Sequence, residues 1–290
     1  MSRNLLIIGS SGCIGTHLVE ALQTGKYDEL FNDIVLCDPQ TPENLYDRFH
    51  YIGDRVESLK ESRLSKILGE FGGIINVSGI NNETGFTRMI HDLSKIESLV
   101  SKLSRAPGIR WVDLTLAPKI DSLLGDYNQW KQTLITRLNT GHISISPWFS
   151  YPVISPHAST QSFGAIVPRV INAVQYGNNF ITASHEEITN DNWVDPERLA
   201  DNLLRSLEQK SRNIRYEMNI NNHTTISHYA GWRTLHLIKQ ILQELHFDES
   251  FFVLSPHDDQ IEIRRNPEEL FVELPIKKAI ERLTNESNSE

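Results

Sequence analysis

The chain has 290 residues, of which 39% are hydrophobic and 22% are charged. This length and composition are ordinary for a folded protein with one large domain, or with a large domain and a smaller companion. The formal net charge is -9 at pH 7, and the sequence contains no basic run. We therefore expect neither nucleic acid nor an acidic membrane surface among its partners.

Cysteine usage and hydropathy narrow the class of protein further. The two cysteines, Cys13 and Cys37, cannot form a disulfide framework and are expected to be small buried hydrophobic residues. The sequence has no HExxH motif and no clustered Cys/His spacing, so no metal is predicted. It also has no apolar stretch long enough to span a bilayer and no signal-peptide pattern at the N-terminus. These features favour a cytoplasmic protein.

The N-terminal residues combine an apolar run, a glycine-rich turn and an amphipathic stretch. Residues 5–8 are apolar, and Gly9, Gly12 and Gly15 follow at three-residue spacing. This pattern predicts a strand, a tight turn and a helix whose N-terminus faces the turn. Such a helix end offers unpaired N–H groups and a partial positive charge, so it can bind a pyrophosphate. The residues expected to line the site are Gly9, Ser11, Gly12, Cys13, Ile14 and Gly15.

An acidic residue ends the next apolar run. Residues 33–37 are rich in β-branched and aliphatic side chains and precede Asp38 and Pro39, which predicts a second buried strand of a parallel sheet. A carboxylate at this strand end can accept a hydrogen bond from a ribose 2′-hydroxyl, and its charge repels a 2′-phosphate. Asp38 therefore favours NAD over NADP.

Strands and helical stretches alternate through the first half of the chain. Further strands are predicted at 50–54, 73–79, 109–115 and 142–146, with helices near 54–68, 86–103 and 127–138 between them. This rhythm predicts an α/β fold with a doubly wound parallel sheet, the Rossmann architecture.

The second half of the chain changes character. Its prolines predict a loop from Pro147 to His157. Asp195 is expected to cap a helix that begins at Pro196. Other elements are predicted as helices at 163–176 and 229–245 and a strand at 216–221. We expect a dinucleotide-binding domain at 1–152 and 194–222, and a smaller C-terminal α/β substrate subdomain at 153–193 and 223–290.

Tyr127 and Lys131 lie four residues apart in a predicted helix, so their side chains share a face. An ammonium group near a phenol stabilises the phenolate and lowers its pKa, which suits tyrosine to acid–base chemistry near neutral pH. The same lysine can hydrogen-bond a nicotinamide ribose. The Tyr-x-x-x-Lys pattern is common on solvated helix faces, but here it follows the fifth strand of an α/β pattern that begins with a glycine turn.

With these residues the chain resembles the extended branch of the short-chain dehydrogenase/reductase superfamily, which contains nucleotide-sugar epimerases, dehydratases and reductases. The resemblance covers roughly residues 4–245. It rests on GxxGxxG at 9–15, Asp38, the Tyr127–Lys131 pair, Asn76-Val77-Ser78-Gly79, Pro147 with Tyr151-Pro152, and Trp193-Val194-Asp195. It implies that Asp54 lies near the adenine, and that Ser78, Gly79, Lys131 and Pro147 also contact the cofactor. Related enzymes often pair through two long helices, so a homodimer is possible.

The resemblance also implies a hydroxyl group near the end of the fifth strand that polarises the substrate carbonyl. Thr115 is the candidate and Ser122 the alternative. The chain departs from the branch at Ser146, where an arginine is usual, and at Thr115-Leu116, where paired serines are usual. Substrate contacts are expected from Asn81, Asn82, Tyr151 and His157.

Together these residues predict an enzyme that uses NAD to transfer hydride. The reacting atom would be a hydroxyl or keto carbon of a small molecule that is sugar-like or a secondary metabolite. Tyr127 would exchange the proton, with Lys131 lowering its pKa and Thr115 steadying the oxygen. The net reaction is left open among epimerisation, dehydration and oxidation or reduction. Two alternatives remain: a dinucleotide-binding sensor or scaffold without redox catalysis, and a redox-neutral lyase or cyclase on the same fold.

Overall fold

The computed structural model describes residues 3–40, 49–53, 71–78, 110–116, 144–150, 153, 155, 157, 166–176, 180–182, 192–207, 228–230, 234–245, 252–255 and 258–262. The chain divides into two units, one comprising Met1–Ser150 and Glu197–Ile226, the other Tyr151–Pro196 and Ser227–Glu290. The described helices are α1 (Cys13–Gln23), α2 (Ile166–Gln175), α3 (Pro196–Ser206) and α4 (Thr234–Glu244).

The first unit is built on a six-stranded parallel sheet. Its strands in chain order are β1 (Arg3–Ile8), β2 (Phe31–Cys37), β3 (Phe49–Ile52), β4 (Phe71–Asn76), β5 (Arg110–Leu116) and β6 (Ser144–Ser150). Their spatial order is β3-β2-β1-β4-β5-β6. The chain first extends the sheet on one side of β1 and then on the other, so the order reverses between β1 and β4. The prediction of a doubly wound parallel sheet is confirmed.

Burial explains why β1 lies in the middle of this sheet. Leu5, Leu6 and Ile7 are between 0% and 1% exposed, so both faces of the strand are covered. Consecutive aliphatic residues are typical of a parallel strand with structure packed on each face. The carboxyl end of β1 is thereby held in a rigid position.

Helix α3 buries an apolar stripe, and the residue that follows the helix lies against β4. Its buried residues include Leu199, Leu203 and Leu204, which repeat at helical spacing, and Leu207 follows directly after its last residue. A Cβ atom on Gly73 of β4 would lie 2.7 Å from Cδ1 of Leu207. The close approach of α3 to the sheet therefore depends on the absence of a side chain at that position of β4.

The second unit combines short strands with two packed helices. Strands β7 (Phe180–Thr182), β10 (Phe252–Ser255) and β11 (Asp258–Glu262) form one sheet in the order β11-β10-β7. Strands β8 (Asn192–Val194) and β9 (His228–Ala230) pair antiparallel. Helices α2 and α4 pack against each other. Their buried residues, all between 0% and 2% exposed, include Val170, Ile171, Leu237, Ile238 and Ile241.

Two predictions about local structure were wrong. Pro147 and the three residues after it are in β6 rather than in a loop, because β6 is the last strand in the order of the sheet. Such a strand tolerates the missing N–H of proline if that position faces away from its partner. Tyr229 belongs to β9, not to a helix, because it pairs with Trp193 of β8, and the helix begins five residues later.

The start of α3 was predicted correctly at Pro196. The predicted helices near 54–68, 86–103 and 127–138 and the predicted strand at 216–221 lie outside the described residues. No helix in the described part of the chain combines the length and apolarity needed to cross a bilayer.

Candidate functional site

A single row of paired residues crosses the six-stranded sheet near the carboxyl ends of its strands. Strand pairing joins, from one edge to the other, Ile52, Cys37, Ile8, Asn76, Asp113 and Pro147. Strands β1 to β4 end at or directly beside this row, whereas β5 and β6 continue for three more paired residues. All six carboxyl ends lie at the same end of the sheet, on either side of the point where the strand order reverses. In α/β proteins this end is the usual ligand site.

The glycine turn begins directly after β1 and lies close to the segment that leaves β4. Gly9 has a φ of +85°, which side-chain-bearing residues rarely adopt. A Cβ atom on Gly9 would lie 2.6 Å from the backbone nitrogen of Ser78. The N–H of Gly9 donates to the carbonyl of Cys37 at 2.9 Å, and the N–H of Val77 donates to that of Ile8 at 2.9 Å. The turn is therefore tied to both neighbouring strands.

The other two glycines of the turn have different surroundings. A Cβ atom on Gly15 would lie 2.0 Å from the carbonyl oxygen of Gly9, so α1 packs on the turn with no space for a methyl group. Gly12 is exposed, and within the described residues the atom nearest to a Cβ placed there would be the carbonyl oxygen of Gly9, at 3.3 Å. Gly15 thus brings the helix onto the turn, while Gly12 leaves its backbone open to an approaching ligand.

The N-terminus of α1 has the properties of an anion site. Gly12 is its N-cap and has no side chain with which to cap the first N–H groups, and the first turn contains no acidic residue. The first helical hydrogen bond runs from the N–H of Thr16 to the carbonyl of Gly12 at 2.9 Å. Cys13 and Ile14 lie in this turn and are half-buried, whereas Cys13 was predicted to be buried. Its place at an open helix end accounts for the difference, and the turn fits a phosphate group.

Asp38 follows β2 directly and lies beside the glycine turn. Its Oδ2 accepts a hydrogen bond from the backbone N–H of Ser11 at 3.1 Å, and its Oδ1 accepts one from the N–H of Gln40 at 3.0 Å. The structure therefore brings together an open helix N-terminus and a carboxylate. A dinucleotide needs this pair of groups, for its pyrophosphate and for its adenosine ribose.

Asn76 organises the segment that follows β4. Its Oδ1 accepts hydrogen bonds from the hydroxyl of Ser78 at 2.6 Å and from the N–H of Ser78 at 3.2 Å. Asn76 is only 5% exposed. Asparagine commonly closes such a turn on the backbone two residues later. The turn holds Ser78 against Gly9.

Thr115 and Pro147 are described through their backbone only. Thr115 is the residue before the end of β5, two positions beyond Asp113, and pairs with Phe149 of β6. Pro147 is paired with Asp113 and so lies in the row that crosses the sheet. Both positions are near the same edge as the glycine turn, because β5 and β6 run parallel to β1.

The remaining predicted residues are placed as follows. His157 belongs to the second unit, where its N–H donates to the hydroxyl oxygen of Ser155 at 3.1 Å. Ser155 is 1% exposed. The other candidates lie outside the described residues: Asp54, Gly79, Asn81, Asn82, Ser122, Tyr127, Lys131 and Tyr151.

Sequence reasoning missed two residues that hold the site together, Asn76 and Tyr51. The Asn-x-Ser spacing at the end of a strand could have indicated the turn at Asn76. Tyr51 donates its hydroxyl hydrogen to the backbone carbonyl of Asp38 from the neighbouring strand β3. No local pattern could have indicated this contact, because it depends on the pairing of β2 with β3.

Among the comparisons with known proteins, only the comparison of structures found matches. No protein-family model and no curated protein sequence matches the chain. A UDP-N-acetylglucosamine 4-epimerase from Methanobrevibacter ruminantium superposes with a TM-score of 0.72 and 14% identity, over 98% of this chain and 99% of that one. The NAD-dependent NDP-hexosamine 5,6-dehydratase TunA gives a TM-score of 0.64 and 14% identity, over 98% of both chains. WbmF from Bordetella bronchiseptica, in complex with NAD+, gives 0.66 and 12%, over 99% of this chain and 94% of that one.

Proposed function

We propose that this chain, which has the fold of NAD-dependent epimerases and dehydratases, is itself an NAD-dependent enzyme of the extended short-chain dehydrogenase type. The observation that carries the proposal is the pairing of two groups at one sheet edge. The uncapped N-terminus of α1 would hold the pyrophosphate, and Asp38 would hold the adenosine ribose. The open backbone at Gly12 gives the phosphates room to approach. A negative charge at Asp38 supports NAD as the cofactor in preference to NADP.

The proposed chemistry is proton transfer beside a cofactor that accepts or returns hydride at its nicotinamide ring. The phenolic oxygen of Tyr127 would take a proton from, or return it to, a hydroxyl group of the substrate. The ammonium group of Lys131 would lower the pKa of that phenol. The hydroxyl of Thr115, or of Ser122, would donate a hydrogen bond to the substrate oxygen and hold it beside the phenol.

For the substrate we propose a nucleotide-linked sugar or a related sugar-like small molecule. The support is the fold shared with enzymes described as acting on UDP-N-acetylglucosamine and on an NDP-hexosamine. Substrate contacts would come from Asn81, Asn82, Tyr151 and His157. The dinucleotide would bind to residues 1–152 and 194–222, and the substrate to 153–193 and 223–290. We also propose a cytoplasmic enzyme that can form a homodimer.

A Tyr127→Phe variant tests the proposed chemistry. NAD affinity, measured by calorimetry, should stay within about twofold of the wild type, because the phenol acts on the substrate. Turnover with a panel of nucleotide sugars, followed by the absorbance of reduced nicotinamide and by product analysis, should fall by about 100-fold or more.

Retained turnover in the variant would contradict the role of Tyr127. A wild type that binds NAD but transforms none of the sugars or simpler keto and hydroxy substrates would favour the sensor or scaffold alternative. Product formation that is independent of the redox state of the nicotinamide would favour a redox-neutral lyase or cyclase.

A further inference from the structure

Two hydrogen bonds from backbone groups orient the carboxylate of Asp38. One oxygen accepts the N–H of Ser11 at 3.1 Å and the other accepts the N–H of Gln40 at 3.0 Å. Both donors are backbone groups, which cannot turn away as side chains do. The carboxylate is therefore held at a defined angle beside the glycine turn rather than rotating in solvent.

The backbone of Asp38 is held from the opposite side by β3. Its N–H donates to the carbonyl of Ile52 at 3.3 Å, and its carbonyl accepts the hydroxyl hydrogen of Tyr51. Tyr51 is half-buried, and a Cβ atom on Gly53 would lie 3.1 Å from Cε1 of its ring. The absence of a side chain at Gly53 thus lets the ring lie close to the backbone after β3, where its hydroxyl reaches Asp38.

A further hydrogen bond closes this network. The hydroxyl of Ser11 donates to the carbonyl of Gln40 at 2.5 Å, and so joins the glycine turn to the turn after β2. Hydrogen bonds from the glycine turn, from the turn after β2 and from β3 therefore all converge on Asp38. We call Ser11, Asp38, Gln40 and Tyr51 the Asp38 network.

We propose that Tyr51, assisted by the hydroxyl of Ser11, is a positioning residue that sets the discrimination between dinucleotides with a free 2′-hydroxyl and those with a 2′-phosphate. The inference rests on the proposed function and deepens it. A carboxylate that can rotate or shift can also move away from a phosphate, which weakens the repulsion that excludes the wrong cofactor. A carboxylate held by the Asp38 network stays at the 2′ position. It accepts a hydroxyl hydrogen there and repels a phosphate.

The test compares the affinities of two cofactors in four proteins. Dissociation constants for NAD and NADP are measured by calorimetry in the wild type, in Tyr51→Phe, in Ser11→Ala and in the control Tyr176→Phe. Tyr176 is 78% exposed and lies just beyond α2 in the second unit. We expect Tyr51→Phe to reduce the NAD-over-NADP preference about fivefold, the size expected for one lost hydrogen bond. Ser11→Ala should reduce it about twofold, and the control should leave it unchanged.

The outcomes separate the failure of this inference from failure of the proposed function. Equal weakening of both cofactors, or an unchanged preference, in Tyr51→Phe would show a merely structural tyrosine and overturn the inference alone. Should that variant not fold, as judged by circular dichroism, Ser11→Ala decides on the same criterion. A wild type that binds neither dinucleotide, or prefers NADP, would overturn the proposed function as well.

Discussion

Gly12 and Gly15 belong to the same turn, yet a methyl group would clash severely at Gly15 and meet only a tight contact at Gly12. At Gly15 the added Cβ would lie 2.0 Å from a backbone oxygen, which no side-chain movement can relieve. At Gly12 the backbone has a φ of -74°, which alanine adopts readily, and the closest atom to the added Cβ would be 3.3 Å away. Packing of the turn therefore excludes a side chain at Gly15 far more strongly than at Gly12.

We predict that Gly15→Ala lowers the free energy of unfolding by about 3 kcal/mol, because it forces α1 away from the turn. Gly12→Ala should cost less stability, about 1 kcal/mol, because the carbonyl oxygen of Gly9 need shift by only a few tenths of an ångström. It should nevertheless weaken NAD binding about tenfold, since the methyl group occupies the path of the phosphates. Urea unfolding and calorimetry measure the two effects. A Gly12→Ala protein that binds NAD with wild-type affinity would contradict the placement of the phosphates.

At the scale of elements, α3 is joined to the loop between α1 and β2 by a charged cluster. The carboxylate of Asp201 accepts hydrogen bonds from Lys26 and from the hydroxyl of Tyr27, and a third from Nε of Arg205 at 2.9 Å. Lys26 Nζ also lies 5.4 Å from the centroid of the Tyr27 ring. Tyr27 is 2% exposed, so its hydroxyl needs this acceptor. The cluster links α3 to the loop that follows α1.

The pKa values in the Asp201 cluster predict how stability depends on pH. Burial opposes the charge on Asp201, but hydrogen bonds from Lys26, Tyr27 and Arg205 outweigh it and lower the pKa of its carboxyl below the usual 3.8. Burial, followed by the hydrogen bond to Asp201, raises the pKa of the Tyr27 phenol. A carboxyl whose pKa is lower in the folded state than in the unfolded state stabilises the fold at pH values above its unfolded pKa. That contribution is lost as the pH falls through the folded value.

We therefore predict that Asp201→Asn lowers the free energy of unfolding at pH 7 by about 1 kcal/mol. The difference from the wild type should shrink as the pH falls below about 4, because the carboxyl then binds a proton in the unfolded state and, at lower pH, in the folded state as well. Thermal unfolding between pH 3 and pH 8 measures this dependence. Glu29→Gln, which removes an exposed carboxylate from the same loop, is the control. A difference that persists undiminished at pH 3 would contradict the assignment.

At the scale of the whole molecule, cofactor binding should stabilise the fold. A ligand that binds only the folded state adds about 2.7 kcal/mol when its concentration is 100 times its dissociation constant. For a chain of this size we predict a rise in melting temperature of about 5 °C with NAD. NADP at the same concentration should produce a much smaller rise, owing to the charge of Asp38. An equal rise with NADP would contradict the proposed preference.

The parts of this protein that could be predicted from its sequence are those encoded by neighbouring residues. The aliphatic run of β1, the glycine spacing after it and the apolar stripe of α3 each predict an element by themselves. Pro147 shows the limit of such patterns, because whether a proline interrupts a strand depends on where that strand lies in the sheet. Tyr229 shows the same limit of local patterns, since pairing with Trp193 overrides a helical pattern.

The candidate site likewise combines features encoded by neighbouring residues with contacts that depend on the tertiary structure. The sequence alone determined the strand, glycine turn and helix that offer an anion site, and the acidic residue after β2, because these depend on local spacing. Only the tertiary structure decided that Ser11 and Tyr51 hold Asp38, and that Ser78 lies against Gly9. The physical reason is that these contacts join segments brought together by parallel strand pairing. Their sequence separation, up to 69 residues between Gly9 and Ser78, leaves no local pattern from which they could be predicted.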